Sequence, residues 1–134
     1  MKKLLAFLLL MVLLSIPCQA NSAFDPQKGG VCITDDDGEK YTCQKLLELA
    51  ANYKVKVSLG IVAGWVGDWD TVSWDDLRAG LSQGFLQVDS HTVSHPHLTT
   101  LSDHDLDWEL KESKRLLEQG LNTTIDTIFY PYGQ

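Results

Sequence analysis

A chain of 134 residues has room for one domain and no more. Its formal charge of −7 becomes −9 once Lys2 and Lys3 leave with a cleaved leader. That balance argues against a nucleic-acid partner or an anionic membrane surface. The leader is the first segment in order. Lys2 and Lys3 precede an apolar run over residues 4–14, followed by Ser15, Pro17 and the small-residue site Cys18-Gln19-Ala20. Charged start, short apolar stretch and small residues at −3 and −1 predict a signal peptide over 1–20, cut after Ala20. The run is too short for a comfortable membrane span. The expected product is exported (secreted, periplasmic or cell-envelope), with no stable membrane anchor after cleavage. Cys32 and Cys43 stay with it, either as a disulfide, which such compartments allow, or as two buried thiols.

Residues 21–29 read as a lead-in, with Pro26 and Gly29 as breakers. The apolar run over 30–34 predicts a buried strand that ends in the acidic turn Asp35-Asp36-Asp37-Gly38. Over 41–53 the positions Cys43, Leu46, Leu47, Ala50 and Tyr53 fall on one helical face. Val55, Val57, Leu59 and Ile61 alternate as a second strand running on into Val62-Ala63-Gly64. A loop carrying Trp65 and Trp69 follows. Ser73-Trp74-Asp75-Asp76 then opens a helix as a capping box, with Trp74, Leu77 and Leu81 inward and Gly84 as its stop. Residues 85–89 are the third strand. Ser90 to Leu98 holds three of the four histidines, two of them, His91 and His95, four residues apart. Ser102 caps the longest helix, with Leu106, Leu110, Ser113 and Leu117 on one face and Gly120 at its end. Residues 125–130 form the fourth strand, running into Pro131-Tyr132-Gly133-Gln134.

The order β-α-β-α-β-α-β predicts an α/β fold of about four parallel strands with three helices, joined by right-handed crossovers. Ligands in such folds gather at the carboxyl ends of the strands. The aspartates, the tryptophan loop, the histidines and Tyr132 each follow a strand, so one rim collects them all. Two imidazoles and a carboxylate leave a Zn²⁺-like ion an open position, and such an ion brings water within reach of deprotonation near neutral pH. A second carboxylate nearby can take that proton. Without a metal, the acidic turn reads as a solvated loop or an adventitious calcium site. Trp65 and Trp69 are candidates for stacking on a sugar ring or for covering one end of the fold, whereas Trp74 and Trp108, on helices, read as packing residues. Glu109, Lys111, Glu112, Lys114, Arg115 and Glu118 read as a solvated helix face. His97 and His104 read as ordinary polar residues.

Three motifs in order carry a family resemblance. Thr34-Asp35-Asp36-Asp37-Gly38, His91-Thr92-Val93-Ser94-His95 and Phe129-Tyr130-Pro131-Tyr132-Gly133 resemble those of the polysaccharide deacetylases, the NodB-homology domain of carbohydrate esterase family 4. The resemblance covers residues 30–134. It implies a deformed (β/α) barrel, here in part. It further implies that Asp37, His91 and His95 hold a divalent metal, Zn²⁺ first and Co²⁺ or Mn²⁺ as alternatives, with Asp36 as catalytic base. The Tyr132 backbone N–H would stabilise an oxyanion. The implied reaction removes N- or O-acetyl groups from an extracellular or cell-wall polysaccharide. Two departures stand out. Phe129 occupies a position where the family commonly has Arg, and the family's later segments, which bring a general-acid histidine, are not found up to Gln134. The chain therefore reads as the N-terminal part of a deacetylase domain, with a non-catalytic remnant that binds metal or glycan as the alternative. A partial barrel would leave strand edges open to self-association.

Overall fold

The computed structural model describes residues 31–134. The expected signal peptide and lead-in lie outside the described residues, so does the start of the first predicted strand. No described helix is long and apolar enough to cross a membrane.

Three parallel strands form one sheet in the order β1 (Thr34–Asp35), β2 (Val57–Ile61), β3 (Leu86–Ser90). Thr34 faces Ser58, and Val57 faces Leu86 through to Ile61 facing Ser90. Helices α1 (Lys40–Tyr53) and α2 (Trp74–Ser82) link the strands, and α3 (Asp103–Leu121) follows β3. The α/β class and the parallel order agree with the sequence reading; the strand lengths do not. The fourth run pairs with β3 at a single parallel bridge, Ser90 with Ile128. Two hydrogen bonds hold it, from Ser90 N–H to the Thr127 carbonyl at 3.0 Å and from Phe129 N–H to the Ser90 carbonyl at 2.8 Å. The first run is also corrected. It pairs over only two residues at the sheet edge, leaving Val31, Cys32 and Ile33 exposed rather than buried. An edge strand has cover on one side only, so its apolar residues lack a second layer. Cys32 and Cys43 are both free, and only Cys43 is a buried thiol.

The core lies between β2, β3 and the helices. Leu59, Ile61, Leu77 and Leu117 are fully buried, and each such side chain stabilises the fold by about 1.5–3 kcal/mol. β2 is buried along its whole length, as expected for a central parallel strand with cover on both faces. Instead of continuing past Ile61, the chain turns at Ala63–Trp65. The helix signals held at the caps. Ser73 and Asp76 form the capping box of α2, Gly84 stops it at φ 78°, and Ser102 accepts from Asp105 N–H to start α3.

Four sequence readings of the helices are overturned. Tyr53 is exposed at the end of α1, because the helix closes there on a left-handed Lys54. Leu110 and Trp108 also face outward in part. Gly120 does not end α3, which runs to Leu121 and closes on a left-handed Asn122. A Cβ at Gly120 would strike the Trp74 ring of α2. Glycine therefore sits there to let the two helices approach, and the Arg78 guanidinium donates to its carbonyl at 2.6 Å.

Candidate metal centre

The four segments that follow strands converge on one rim. Asp37 Oδ1 lies 3.4 Å from His91 Nε2 and 3.3 Å from His95 Nε2. The two Nε2 atoms are 3.1 Å apart. A tetrahedral ion with bonds near 2.0–2.1 Å sets its ligand atoms roughly 3.3 Å apart. Three donors of the right chemistry thus stand at the spacing that such an ion needs.

Each ligand is aimed by its neighbours. The His91 ring is 2% exposed, and its Nδ1 lies 2.9 Å from the Phe129 carbonyl. A carbonyl only accepts, so Nδ1 carries the proton and the Nε2 lone pair is free to face the metal position. His95 is reached by a turn: its backbone N–H donates to Thr92 Oγ1 at 3.0 Å. Its ring lies against Trp65, with centroids 5.5 Å apart, and against the edge of Tyr132 at 4.6 Å.

The backbone around the rim is unusual. Among the described residues, six non-glycine residues have positive φ. Lys54 and Asn122 are helix C-caps, where a left-handed residue is ordinary. The other four, Asp37, Thr92, His95 and Tyr132, all belong to this site, at φ of 69°, 71°, 59° and 57°. Each such residue costs on the order of 1–3 kcal/mol and persists only where its surroundings fix it. Thr92, β-branched and fully buried, is the least tolerant. It is held through its N–H to Ser90 Oγ at 3.2 Å and its carbonyl from Ala63 N–H at 2.9 Å.

One residue of this support was misread in sequence. Glu109, taken as part of a solvated helix face, is only 5% exposed. It accepts from Val93 N–H at 2.7 Å and Ser94 N–H at 3.1 Å, and from the Ser94 hydroxyl. Its neighbours Lys111, Lys114 and Arg115 do face outward, in pairs with Asp107, Glu118 and Glu112. Nothing in the charge pattern separates Glu109 from them; only the place of α3 against the histidine turn does. His97 was also undervalued, since its ring stacks on Tyr132 at 3.9 Å and 14°. His104, by contrast, is exposed beside Asp105.

The acidic turn is more open. Asp37 has a side chain 53% exposed, and Asp36 is exposed as well. Gly38 behind them is buried, and its carbonyl accepts from Val72 N–H at 3.0 Å. Asp36 Oδ1 and the Phe129 ring both sit over Gly60, where a Cβ would strike the ring and come within 3.0 Å of the oxygen. The position where the resemblance leads one to expect Arg therefore places an apolar ring beside Asp36. Burial first, then the charges of Asp36, Asp37 and Glu39, pushes the Asp35 carboxyl above the usual carboxylate range. Of the two tryptophans, Trp65 joins the site and Trp69 stands 92% exposed on the loop.

The profile described as polysaccharide deacetylase matches residues 24–134. The chain belongs to that family. A Bacillus subtilis protein named as a polysaccharide deacetylase, YxkH, is 24% identical over 109 residues, 81% of this chain and 39% of its own length. Among solved structures, the Streptococcus pyogenes deacetylase PplD in complex with acetate matches at TM-score 0.76 and 26% identity. That match covers 81% of this chain and 49% of PplD. The peptidoglycan deacetylase PdaC of Bacillus subtilis matches in fold at TM-score 0.70 and 24% identity, over 82% of this chain and 52% of its own. The chain thus spans about half the length, or less, of these relatives. The match is to the deformed barrel of the deacetylases, of which the described residues supply three strands, a parallel bridge beside the third and three helices.

Proposed function

We propose that this chain carries the metal-binding part of an exported deacetylase that hydrolyses N- or O-acetyl groups on a polysaccharide. The observation that carries the reading is the Asp37, His91 and His95 triad, with its three donor atoms 3.1–3.4 Å apart. Family membership supports the reaction class, and the relatives named for a deacetylase with acetate and for peptidoglycan support an acetylated glycan. The leader-like sequence over 1–20 supports export.

Asp37, His91 and His95 would hold the ion, with Zn²⁺ favoured by two imidazoles and one carboxylate, and Co²⁺ or Mn²⁺ as alternatives. When bound, a divalent ion polarises the acetyl carbonyl and makes water a nucleophile near neutral pH. Asp36, adjacent to a ligand and open to solvent, would serve as the base that accepts a proton from the attacking water. The Tyr132 N–H, on a left-handed turn beside His95, is the candidate donor to the oxyanion. Trp65 lies close enough to His95 to border a bound sugar, and the exposed Trp69 on the same loop is a second candidate for stacking on glycan. The open edges at β1 and at residues 125–130 are places for another strand to add, from a second copy or from further polypeptide.

The test is acetate release from an acetylated chito-oligosaccharide by the purified chain, with and without Zn²⁺. Release that requires metal and vanishes in His91→Ala is the expected result. Tight metal binding with no release from any acetylated glycan would favour a remnant that binds without turnover. Of the two described histidines outside the triad, His97 stacks on Tyr132 and His104 is exposed beside Asp105 at the start of α3.

A further inference from the structure

Glu109 contributes no ligand, yet it closes the turn that carries two of the three. A carboxylate that is nine-tenths buried is costly unless donors meet its lone pairs. Here they come from the main-chain amides of Val93 and Ser94 and from the Ser94 hydroxyl. Those two residues lie between Thr92 and His95, the two left-handed positions of the turn. Opposite them, Gly64 N–H donates to the Val93 carbonyl at 2.9 Å. The turn is thus gripped from α3 on its N–H side and from the Ala63–Trp65 turn after β2 on its carbonyl side. A shorter group at 109 leaves two inward amides without an acceptor, a neutral amide leaves them a weaker one, and the strained turn is then free to relax away from Asp37.

We propose that Glu109 is a positioning residue of the metal centre. Anchored on α3, it holds the His91–His95 turn so that both Nε2 atoms stay in ligand spacing, and it thereby sets affinity for the ion and not only the stability of the fold. The proposal rests on the metal reading above. Its chemistry is that of outer partners that orient metal-bound histidines, whose loss weakens affinity by about 10–100-fold.

The test is a Zn²⁺ titration of the chelator-treated chain against a chromophoric competitor, in wild type, Glu109→Gln, Glu109→Ala and His91→Ala. Glu109→Gln keeps the volume and one acceptor, so about tenfold weaker binding is expected, and nearly 100-fold in Glu109→Ala. Melting temperature is read alongside, with and without Zn²⁺. A residue that only supports the fold lowers both temperatures equally and leaves the metal-induced rise intact; a positioning residue shrinks the rise. If Glu109→Ala does not fold, the Gln variant decides. Wild-type affinity in Glu109→Gln, or an undiminished rise, overturns the proposal. Where His91→Ala loses the metal and Glu109→Gln does not, only the role of Glu109 falls. Undiminished binding in His91→Ala, or none in wild type, takes the metal reading down with it.

Discussion

The two arms of the metal site are built differently. The histidine arm follows β3, which is paired on one side by β2 and on the other by the bridge at Ile128. It is buried and held by the Phe129 carbonyl, the Thr92 hydroxyl and Glu109. The aspartate arm follows β1, a two-residue strand at the sheet edge. Its Asp36 and Asp37 side chains are exposed, Asp35 is half-buried, and its anchor is one step back, at Gly38. Preorganisation is therefore concentrated in one arm. On the proposed metal reading, the histidine turn has its geometry before an ion arrives, and the aspartate turn is the arm that an ion would order. Concentrating three acidic side chains on an edge is destabilising by itself, and a dication is the natural relief.

The strongest way to break this comparison is to remove a ligand from each arm. His91→Ala should lose binding by at least the roughly 100-fold upper range of outer-partner losses, since it removes a ligand itself. Elemental analysis after dialysis checks it. Asp37→Ala should retain measurable, weaker binding through the two imidazoles. Amide exchange sharpens the point: Zn²⁺ should slow exchange at residues 35–38 much more than at 91–95, which are already protected. Equal gains in the two segments would show that the arms are equally preformed.

A second way tests whether β1 is seated. Cys43 lies behind the aspartate arm with its sulfur 3.9 Å from Asp35 Oδ2. Burial, together with Asp35 and Glu39, pushes its thiol up to about 12, whereas Cys32 is exposed. Iodoacetamide at pH 8 should label Cys32 at least about tenfold faster than Cys43, because the thiolate is the nucleophile. Comparable rates, read by mass spectrometry on the folded chain, would mean that the edge strand opens freely.

The sequence disclosed the parts that obey local rules. Caps at Ser73 and Ser102, the stop at Gly84 and the spacing of His91 and His95 are short-range features, and the structure keeps them. The convergence of the acidic turn with the histidines was legible because parallel strands deliver their following loops to one rim, and the resemblance singled out Asp37 within it. What escaped depends on tertiary neighbours. Glu109 carries the same helical spacing as the solvated charges around it, and Gly120 looks like a stop until Trp74 is seen against it. The extent of β1 and of the fourth strand was overread because apolar composition reports propensity, whereas pairing needs a neighbouring strand in register along the run. His97 was passed over since stacking on Tyr132 joins segments 35 residues apart, as the Thr99 and Gln134 side chains also do.

The smallest expected effect concerns Asp35, and its sign follows from its environment. Burial and the neighbouring charges raise its carboxyl in the folded chain. The folded state therefore binds that proton more tightly than the unfolded state. Ionising Asp35 costs stability, a loss that begins as pH rises past the unfolded carboxylate value of about 3.9 and is complete above the raised folded value. Asp35→Asn removes the loss. In the metal-free chain, urea unfolding at pH 7 should show Asp35→Asn more stable than wild type by about 0.5 kcal/mol, the scale of a partly exposed site. At pH 3, where the native carboxyl is already protonated, the difference should vanish. Saturating Zn²⁺ should shrink it at pH 7 as well, because a cation on Asp37 offsets the repulsion that Asp35 feels. A gain that is the same at both pH values would assign the effect to packing at β1, and the aspartate arm would then not be strained by its own charge.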